Sequence, residues 1–309
     1  MGKILVVGSY MTDVAVYTPR FPKDGETLMG SGVKFGPGGK GSNQATAAHR
    51  VGGEVVMFAK IGCDFLSSVA LTHYGNEGMT DRYLLRDEEH ATGCAIIEVN
   101  EQTAENRIIV MPGSNQYISV EEVRAAEEEF RTCDVVLLQL EANLEATAEA
   151  ARLGRKHGKT VILNTAPFRE IEESLFSFVD YVTPNETEAS YYSGVQVTDE
   201  SSARLAAEVF LAKGVKNVVI TLGKAGAYVK AGDTDMVVPA YRVQAADTTG
   251  AGDAFNGGFA VALSEGKSVE DAVRFASAVA GLSVTKQGAS AAMPHLEDVL
   301  RLMEEQKNS

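Results

Sequence analysis

Residues 134–163 read DVVLLQLEANLEATAEAARLGRKHGKTVIL, and this stretch decides the fold class. An apolar strand over 134–140 is followed by a helix over 144–157 and by a second apolar strand over 160–163. Two neighbouring strands that are joined by a helix run parallel in one sheet. The same alternation continues toward the C-terminus, so the sequence predicts an α/β fold, with a mostly parallel sheet covered by helices on both faces.

The first third of the chain departs from this alternation in two places. Strand-like runs at 14–17 and 27–35 follow each other without a helix, and so do the runs at 92–99 and 106–111. These two excursions could pair into a small separate sheet. The remaining predicted elements are strands at 4–7, 181–183 and 217–222 and helices at 43–51, 121–130, 201–213, 250–264 and 269–285.

The composition describes a globular, acidic protein. Hydrophobic residues make up 45% and charged residues 23%, which argues against disorder. The net charge of -14 disfavours nucleic acid and anionic membrane surfaces as partners. No apolar stretch reaches the roughly 20 residues that a bilayer requires. The short apolar run after Met1 predicts a strand rather than a signal peptide.

Cysteine and histidine spacing gives no support for a metal centre or a disulfide framework. Cys63, Cys94 and Cys133 form no CxxC pair, which predicts buried thiols in a reducing cytoplasm. The histidines are scattered and lack the spacing of zinc ligands.

The strongest chemical motif is DTTGAGDAF at residues 247–255, a glycine-rich turn that leads into an apolar helix. Gly250, Ala251 and Gly252 have little or no side chain, so their N–H groups can face a ligand at the positive end of a helix. Such a helix start suits a phosphoryl group. Asp253 would repel a phosphate, and its carboxylate is better suited to accept a proton from an attacking hydroxyl. An ordinary helix start with an acidic first turn would show the same residues.

A second glycine cluster, GPGGKGSNQ, occupies residues 36–44. It would let the backbone approach a small polar ligand to which Lys40 and Asn43 donate, although a flexible turn before a helix has a similar composition. Neither cluster is a standard nucleotide loop. The Gly-Lys-Ser at 266–268 has Val261 where a P-loop needs glycine, and the turn after Gly8 lacks the dinucleotide fingerprint.

Together the two clusters resemble the two signatures of the ribokinase-like (PfkB) carbohydrate kinases, in order, separation and total chain length. Within that family the sequence looks most similar to ribokinases and deoxyribokinases, and the similarity covers nearly the whole chain. Shorter stretches that also match are Gly8-Ser9 with Asp13, QLE at 139–141, NTAP at 164–167, PNETE at 184–188 and TLG at 221–223.

The resemblance implies a three-layer α/β/α fold in one ribokinase-like domain over 1–309, with a small β-sheet lid from about 14–36 and 92–112. It implies ATP-dependent phosphorylation of the 5-hydroxyl of a pentose, with Mg²⁺ accompanying ATP and K⁺ as an activator. It also implies a homodimer formed through the lid strands.

The resemblance further implies roles for individual residues. Asp253 matches the catalytic base, and Gly250, Ala251 and Gly252 match the anion hole. The matching sugar-contacting positions are Asp13, Gly39, Lys40, Asn43 and Glu141. The matching nucleotide-side positions are Asn185, Thr221, Gly223, Gly226, Gly252 and Ser277. Asn185 and Glu188 match the motif that organises Mg²⁺ through water, and the K⁺ site matches Asp247, Thr249, Ser283, Lys286, Gly288 and Ala292.

Met11 departs from the ribokinase pattern, which has Asn at this sugar-facing position. A thioether is a poor hydrogen-bond partner for a hydroxyl. Because an apolar side chain suits a C2 that carries only hydrogens, Met11 predicts a preference for 2-deoxy-D-ribose over D-ribose. Alternatively, Met11 is a core thioether beside an ordinary ribose site.

Two other functions stay open from the sequence alone. A kinase for another acceptor, such as a nucleoside or a phosphorylated sugar, would share most of these motifs. A non-catalytic sugar sensor would share the fold, although the intact Asp253 and the anion-hole glycines argue against it.

Overall fold

The computed structural model describes residues 2–103 and 105–307. The strands are β1 (Lys3–Val7), β2 (Met11–Thr18), β3 (Gly32–Gly38), β4 (Glu54–Gly62), β5 (Leu84–Asp87), β6 (Cys94–Asn100), β7 (Asn106–Met111), β8 (Val135–Leu138), β9 (Thr160–Leu163), β10 (Tyr181–Val182), β11 (Asn217–Thr221), β12 (Ala227–Ala231) and β13 (Thr234–Val238). The α-helices are α1 (Lys40–Arg50), α2 (Phe65–Glu77), α3 (Val120–Ala125), α4 (Glu127–Thr132), α5 (Leu144–Lys156), α6 (Glu186–Ser193), α7 (Glu200–Ala212), α8 (Ala251–Ser264), α9 (Val269–Ser283) and α10 (Leu296–Lys307).

A nine-stranded sheet, counted over the described residues, organises the molecule in the order β13-β12-β11-β10-β9-β8-β1-β4-β5. The strands from β11 to β5 are parallel, and β12 and β13 extend the β11 edge as antiparallel strands. This confirms the α/β fold that the 134–163 pattern predicts.

The alternation of side chains along the central strand β1 divides the core into two layers. Ile4 and Val6 pack into one buried cluster, whereas Leu5 and Val7 pack into the cluster on the opposite face of the sheet. A strand that is buried on both faces needs a continuous apolar run, and this is why β1 shows no polar alternation. Helices therefore cover both faces, and the layers are α/β/α.

The two excursions form a separate four-stranded sheet with the order β3-β2-β6-β7. β2 is antiparallel to β3 and parallel to β6, and β6 and β7 form the predicted antiparallel hairpin. Every residue of β7 is exposed. Residue 104, inside the predicted second lid segment, lies outside the described residues.

Three expectations from the sequence differ from the structure. The strand predicted over 27–35 begins only at Gly32, where pairing with Tyr17 of β2 starts, and residues 27–31, of which only Leu28 is half-buried, form no strand. The helix predicted over 121–130 divides at Ala126, which joins α3 to α4. Of the three cysteines predicted to be buried, only Cys133 is buried; Cys94 is half-buried and Cys63 is exposed in the turn after β4.

Membrane insertion has no support in the helices. In the part of the chain that the structure describes, none of them is both long and apolar enough to span a bilayer.

Candidate active site

Polar side chains collect at the carboxyl ends of the parallel strands. Gln139 follows β8, Asn164 follows β9 and Thr183 follows β10, and all three are buried. Helices α1 and α8 pack against each other and begin near this edge of the sheet. Open parallel sheets bind their ligands beyond the carboxyl ends of the strands, so this edge is the candidate active site.

Asp253 lies in the first turn of α8 and joins the two glycine motifs. Its Oδ2 accepts a hydrogen bond from Asn43 Nδ2 at 3.0 Å, and its Oδ1 accepts one from Gln44 Nε2 at 3.0 Å. The side chain is 5% exposed. A buried carboxylate is tolerated only when its oxygens are hydrogen-bonded, and α1 supplies both donors. The two motifs that are distant in sequence therefore form one site.

The start of α8 has no side-chain cap among the described residues; the Ala251 N–H donates to Thr248 O at 3.2 Å, which leaves the N–H groups of Gly250 and Gly252 available to an anion. Gly250 precedes the helix with φ of 77°, a left-handed conformation that favours glycine. A Cβ on Gly250 would lie 3.1 Å from Cα of Ala289, whereas a Cβ on Gly252 would meet open space. The positive end of the helix dipole therefore faces an accessible volume beside Asp253.

Acidic and basic groups surround the same space on the side of the small sheet. Met11 and Asp13 project from the same face of β2, because side chains alternate along a strand. The Asp13 carboxylate covers Gly38 so closely that a Cβ there would lie 2.2 Å from its Oδ1. Glu141 Oε2 accepts hydrogen bonds from Ser9 Oγ at 2.6 Å and from the Lys40 backbone N–H at 2.8 Å.

The carboxylates of this cluster influence one another. Burial raises the pKa of Asp13 to about 7, and the negative charges of Glu141 and Asp253 add to the shift. Burial works to lower the pKa of the Lys40 ammonium, but Asp253, Glu141 and Glu188 outweigh it, and the net shift is upward. Lys40 thus remains a cation that balances the acidic cluster.

The nucleotide-side residues extend from this cluster toward β11. Asn185 caps α6: its Oδ1 accepts from the Glu188 backbone N–H at 2.8 Å, and Glu188 Oε2 accepts from the Asn185 backbone N–H at 3.0 Å. Asn185 also pairs with Thr221 in an isolated parallel bridge. Gly223 and Gly226 form the turn that follows β11, with φ of 51° and 110°.

Ser277 is buried on α9, a helix that packs against β12 and β13. The structure therefore places it beside the strands that follow the Gly223–Gly226 turn. Asp13, Lys40, Asn43, Glu141 and Asp253 meet around one space, and the predicted nucleotide-side residues lie along the adjoining edge.

Glu188 and Asn185 fit a hydrated Mg²⁺ better than a direct protein cage. Glu188 is buried, and burial raises the pKa of its carboxyl. In the residues that the structure describes, no three His, Cys, Asp or Glu side chains are grouped closely enough to hold a metal ion. Mg²⁺ commonly keeps several waters and binds substrate phosphates through few protein ligands, so this donor set is compatible with it.

The predicted K⁺ residues form a loop that Asp247 holds together. Its Oδ1 accepts from the backbone N–H and hydroxyl of Thr249, and its Oδ2 accepts from the Gly288 backbone N–H at 2.9 Å. Burial alone would raise the pKa of Asp247, but these hydrogen bonds outweigh it and lower the pKa. Ser283 Oγ donates to Ala280 O and keeps its lone pairs, whereas the Lys286 and Ala292 side chains carry no oxygen. At Lys286, Gly288 and Ala292, backbone carbonyls are therefore the ligands that these residues can offer a monovalent cation.

Three buried carboxamides of the site have no role in the sequence-based assignment: Gln44, Gln139 and Asn164. Gln44 lies inside the second glycine cluster, and the other two lie in short stretches that match the family. A polar residue directly after an apolar strand is the signal that could have drawn attention to Gln139 and Asn164.

Comparison with known proteins finds relatives that match nearly the whole chain. The family described as pfkB family carbohydrate kinase matches residues 1–296. The chain is 40% identical over 301 residues to the ribokinase of Haemophilus influenzae, covering 97% of this chain and 98% of the relative. It is 38% identical over 295 residues to the deoxyribokinase of Salmonella typhimurium, covering 95% and 96%.

Solved structures show the same fold. The ribokinase of Thermotoga maritima has a TM-score of 0.89 and 38% identity, with 98% of this chain and 100% of that chain covered. The Arabidopsis thaliana ribokinase, solved with ribose and ATP, has a TM-score of 0.90 and 32% identity, with 98% and 99% covered.

Proposed function

The chain belongs to the pfkB family of carbohydrate kinases, and from that premise we propose that it transfers the γ-phosphate of ATP to the 5-hydroxyl of D-ribose or 2-deoxy-D-ribose. The observation that carries the proposal is the position of Asp253, a buried carboxylate that is held by Asn43 and Gln44 next to an uncapped helix start. A base beside an anion site is what phosphoryl transfer to an alcohol requires.

The reaction follows from these two features. The 5-hydroxyl oxygen attacks the γ-phosphorus, and its proton passes to the Asp253 carboxylate. The bond between the γ-phosphorus and the β–γ bridging oxygen breaks, and its electron pair leaves with ADP. The N–H groups of Gly250, Ala251 and Gly252 stabilise the charge on the transferring group at the uncapped start of α8, where the Ala251 N–H exchanges its bond to Thr248 O for a phosphoryl oxygen.

The sugar is held by the acidic cluster and by α1. Asn43 Oδ1 is buried and has no hydrogen-bond partner among the described residues, so it is available to accept from a sugar hydroxyl. The carboxylates of Asp13 and Glu141 accept from further hydroxyls, and Lys40 and the Gly39 backbone complete the contacts. Orienting the sugar in this way contributes much of the rate acceleration in phosphoryl transfer.

ATP binds along the edge formed by Asn185, Thr221, Gly223, Gly226 and Ser277, with its γ-phosphate at Gly252. When bound, Mg²⁺ neutralises phosphate charge, and Asn185 and Glu188 would hold it through water. The monovalent cation K⁺ would bind the loop of Asp247, Thr249, Ser283, Lys286, Gly288 and Ala292, where it would supply a positive charge close to the α8 start.

We further propose that the small sheet acts as a lid over the sugar and that Met11 favours 2-deoxyribose. Met11 is 3% exposed and shares a strand face with Asp13, so its thioether adjoins the sugar space. The lid excludes water, which would otherwise compete with the sugar as acceptor.

The net charge and the free thiols of the chain bear on its binding partners and on its cellular compartment. The net charge of -14 disfavours nucleic acid and anionic membranes as partners, and the unpaired thiols of Cys63, Cys94 and Cys133 suit a reducing cytoplasm. The exposed apolar residues of β7 favour a homodimer through the lid strands.

A coupled assay of ADP release with a panel of pentoses, nucleosides and phosphorylated sugars tests the proposal. We expect saturable turnover with ribose or 2-deoxyribose. Asp253→Asn should lower kcat on the order of 10²- to 10⁴-fold, because the alcohol loses its general base. Asp298→Asn, the same change on α10, is the matched control. Tight sugar binding without ADP release would instead identify a sugar sensor.

A further inference from the structure

We propose that Gln44 is the positioning residue of Asp253, and that Gln139 and Asn164 hold Gln44 in the one orientation that serves the base. The inference rests on the proposed function, in which Asp253 accepts the proton of the sugar hydroxyl. It is carried by a hydrogen-bonded line of three buried side-chain amides, those of Gln139, Gln44 and Asn164. The line lies at the carboxyl ends of the parallel strands and ends at the Asp253 carboxylate.

The hydrogen bonds run in one direction. Gln139 Nε2 donates to Gln44 Oε1 at 2.7 Å. Gln44 Nε2 then donates to Asp253 Oδ1 at 3.0 Å and to Asn164 Oδ1 at 3.0 Å. Gln44 and Gln139 are 0% exposed, and Asn164 and Asp253 are each 5% exposed. Water therefore does not substitute freely for any of these partners.

The chemistry of the carboxylate fixes the orientation of each amide. An ionised Asp253 only accepts, so Gln44 must turn its NH₂ group toward it. The carbonyl oxygen of Gln44 then faces Gln139, which must present its own NH₂ group. As a result Gln139 Oε1 is buried without a hydrogen-bond partner among the described residues. Leaving a buried acceptor unpaired is unfavourable, and its retention at an active site indicates a functional constraint.

Beyond Asn164, further hydrogen bonds connect the line to α8, the helix that carries Asp253. Asn164 Nδ2 donates to Thr183 O at 2.9 Å, and Thr183 Oγ1 donates to Asn256 Oδ1 at 2.5 Å. Asn256 Nδ2 donates to Gly252 O at 2.8 Å. The ends of β8, β9 and β10 are thus connected both to the base and to the glycine turn of the anion site.

This arrangement assigns different tasks to the two carboxylate oxygens. Oδ1 is held from the core side by Gln44, whose other contacts are all buried amides. Oδ2 is bound by Asn43, a predicted sugar contact, and therefore faces the substrate. Gln44 consequently determines which oxygen of Asp253 accepts the proton and in which plane the carboxylate lies. It makes no contact with the sugar itself.

Steady-state kinetics of Gln44→Leu, Gln139→Leu and the double variant test the proposal. We expect Gln44→Leu to lower kcat by about 10- to 100-fold with the sugar KM within about 3-fold, because a misaligned base slows the chemical step and spares binding. Gln139→Leu should lower kcat less than Gln44→Leu does. The double variant should lower kcat no more than Gln44→Leu alone, because both side chains act through the one hydrogen bond from Gln44 to Asp253. Gln44→Glu should also move the acidic limb of the kcat–pH profile to higher pH, because a second carboxylate beside the base favours its protonated form.

Thr46→Val is the matched control, since Thr46 is equally buried on α1 but bonds to Ser42 O and His73. It should keep kcat even if it lowers Tm. A Gln44→Leu enzyme with full kcat, an unshifted pH limb in Gln44→Glu, or additive losses in the double variant would overturn the proposal.

A second measurement does not depend on turnover. In ¹⁵N-labelled protein, the side-chain amide signals of Gln44 and Gln139, assigned from the Leu variants, should both shift in Asp253→Asn. Unchanged signals would refute the hydrogen-bonded line even in an active kinase. Shifted signals in a protein that phosphorylates nothing would support the line and refute the proposed reaction.

Discussion

Asp13 shows how one residue of the acidic cluster opposes folding in order to serve binding. Its pKa of about 7 lies well above the ordinary value near 4 of an aspartate in an unfolded chain. Between these pH values the folded protein binds more protons than the unfolded chain does. Stability therefore falls as pH rises through this window, and the loss is complete above about pH 7.

Asp13→Asn should remove this dependence. We expect the Tm of the variant minus the Tm of the wild type to be more positive at pH 8 than at pH 5, measured without sugar by circular dichroism. The same substitution should raise the sugar KM, because an acceptor for a hydroxyl is lost. Asp298→Asn, on the exposed helix α10, should show an equal Tm difference at both pH values. If the Tm difference between Asp13→Asn and the wild type is the same at pH 5 and pH 8, burial does not raise the pKa of the Asp13 carboxyl.

Met11 is the residue from which sugar selectivity should be adjustable. Asparagine at this position would supply the hydrogen-bonding groups that a C2 hydroxyl needs and that a thioether lacks. We expect Met11→Asn to move the ratio of kcat/KM for ribose over 2-deoxyribose upward by about 10-fold or more, in line with one hydrogen bond to a hydroxyl. Met11→Leu, which keeps an apolar side chain, is the control and should preserve the ratio. A strong ribose preference in the wild type would contradict the 2-deoxyribose hypothesis.

Single residues also mark where sequence reasoning stops. The contact of Asn43 with Asp253 joins two motifs that were each predicted to be functional, but no local pattern states that they meet. Gln44 and Gln139 read as ordinary polar residues, and only the folded sheet edge reveals that their amides are buried and aligned. Side-chain orientation depends on partners that are distant in sequence, and this is why the proposed positioning role was not predictable.

At the scale of an element, the start of α8 has two glycines to which we assign different roles: Gly250 is needed for stability and Gly252 for catalysis. Gly250 has a left-handed backbone and a close neighbour in Ala289, so Gly250→Ala should lower the free energy of unfolding by about 1–3 kcal/mol. Gly252 has open space where a Cβ would lie, and alanine is the better helix former. Gly252→Ala should therefore fold at least as stably as the wild type.

The same methyl group at position 252 should damage catalysis. It would occupy the volume in which the γ-phosphoryl group meets the helix start, and we expect kcat/KM for ATP to fall by about 10- to 100-fold, less than the roughly 100- to 1000-fold cost of losing an oxyanion donor, because the N–H group remains. Denaturant unfolding and ATP kinetics of the two alanine variants check both halves of the prediction. A fully active Gly252→Ala enzyme would show that the phosphoryl group binds elsewhere.

Several elements with a strong pattern were predicted, although β4, an apolar strand of the main sheet, was not. The unit β8–α5–β9 and the hairpin β6–β7 follow from apolar periodicity and from a polar turn. Helix α2 was not predicted, since its apolar residues do not lie on one face. Of the strand predicted over 27–35, the part over 27–31 was wrong, because β-compatible residues form a strand only where a neighbouring strand pairs with them.

In the whole molecule, one face of the small sheet is only partly covered, because beyond Met11 and Asp13 at the sugar space it continues onto β6 and β7. On one of its faces Phe35 packs edge-to-face with Phe65 of α2, and Thr12 Oγ1 donates to Leu66 O. The opposite face carries Ile97 paired with Ile108, and Ile108 is 53% exposed. An apolar sheet face of this kind, rich in β-branched residues, suits burial against a second copy in a twofold dimer.

In the proposed homodimer, Ile108→Lys should favour the monomer of 32.9 kDa, because it would bury a lysine of each copy in the interface. Sedimentation velocity at micromolar concentration measures the change. Ile109→Lys adds the same charge to the neighbouring residue of β7, whose side chain points to the face that α2 partly covers, and it should leave the dimer intact. Because each lid would be held by the other copy in the proposed dimer, the monomeric variant should also show a higher sugar KM. A wild-type protein that sediments as a monomer would contradict the dimer, and dissociation by Ile109→Lys alone would place the interface on the opposite face of the lid.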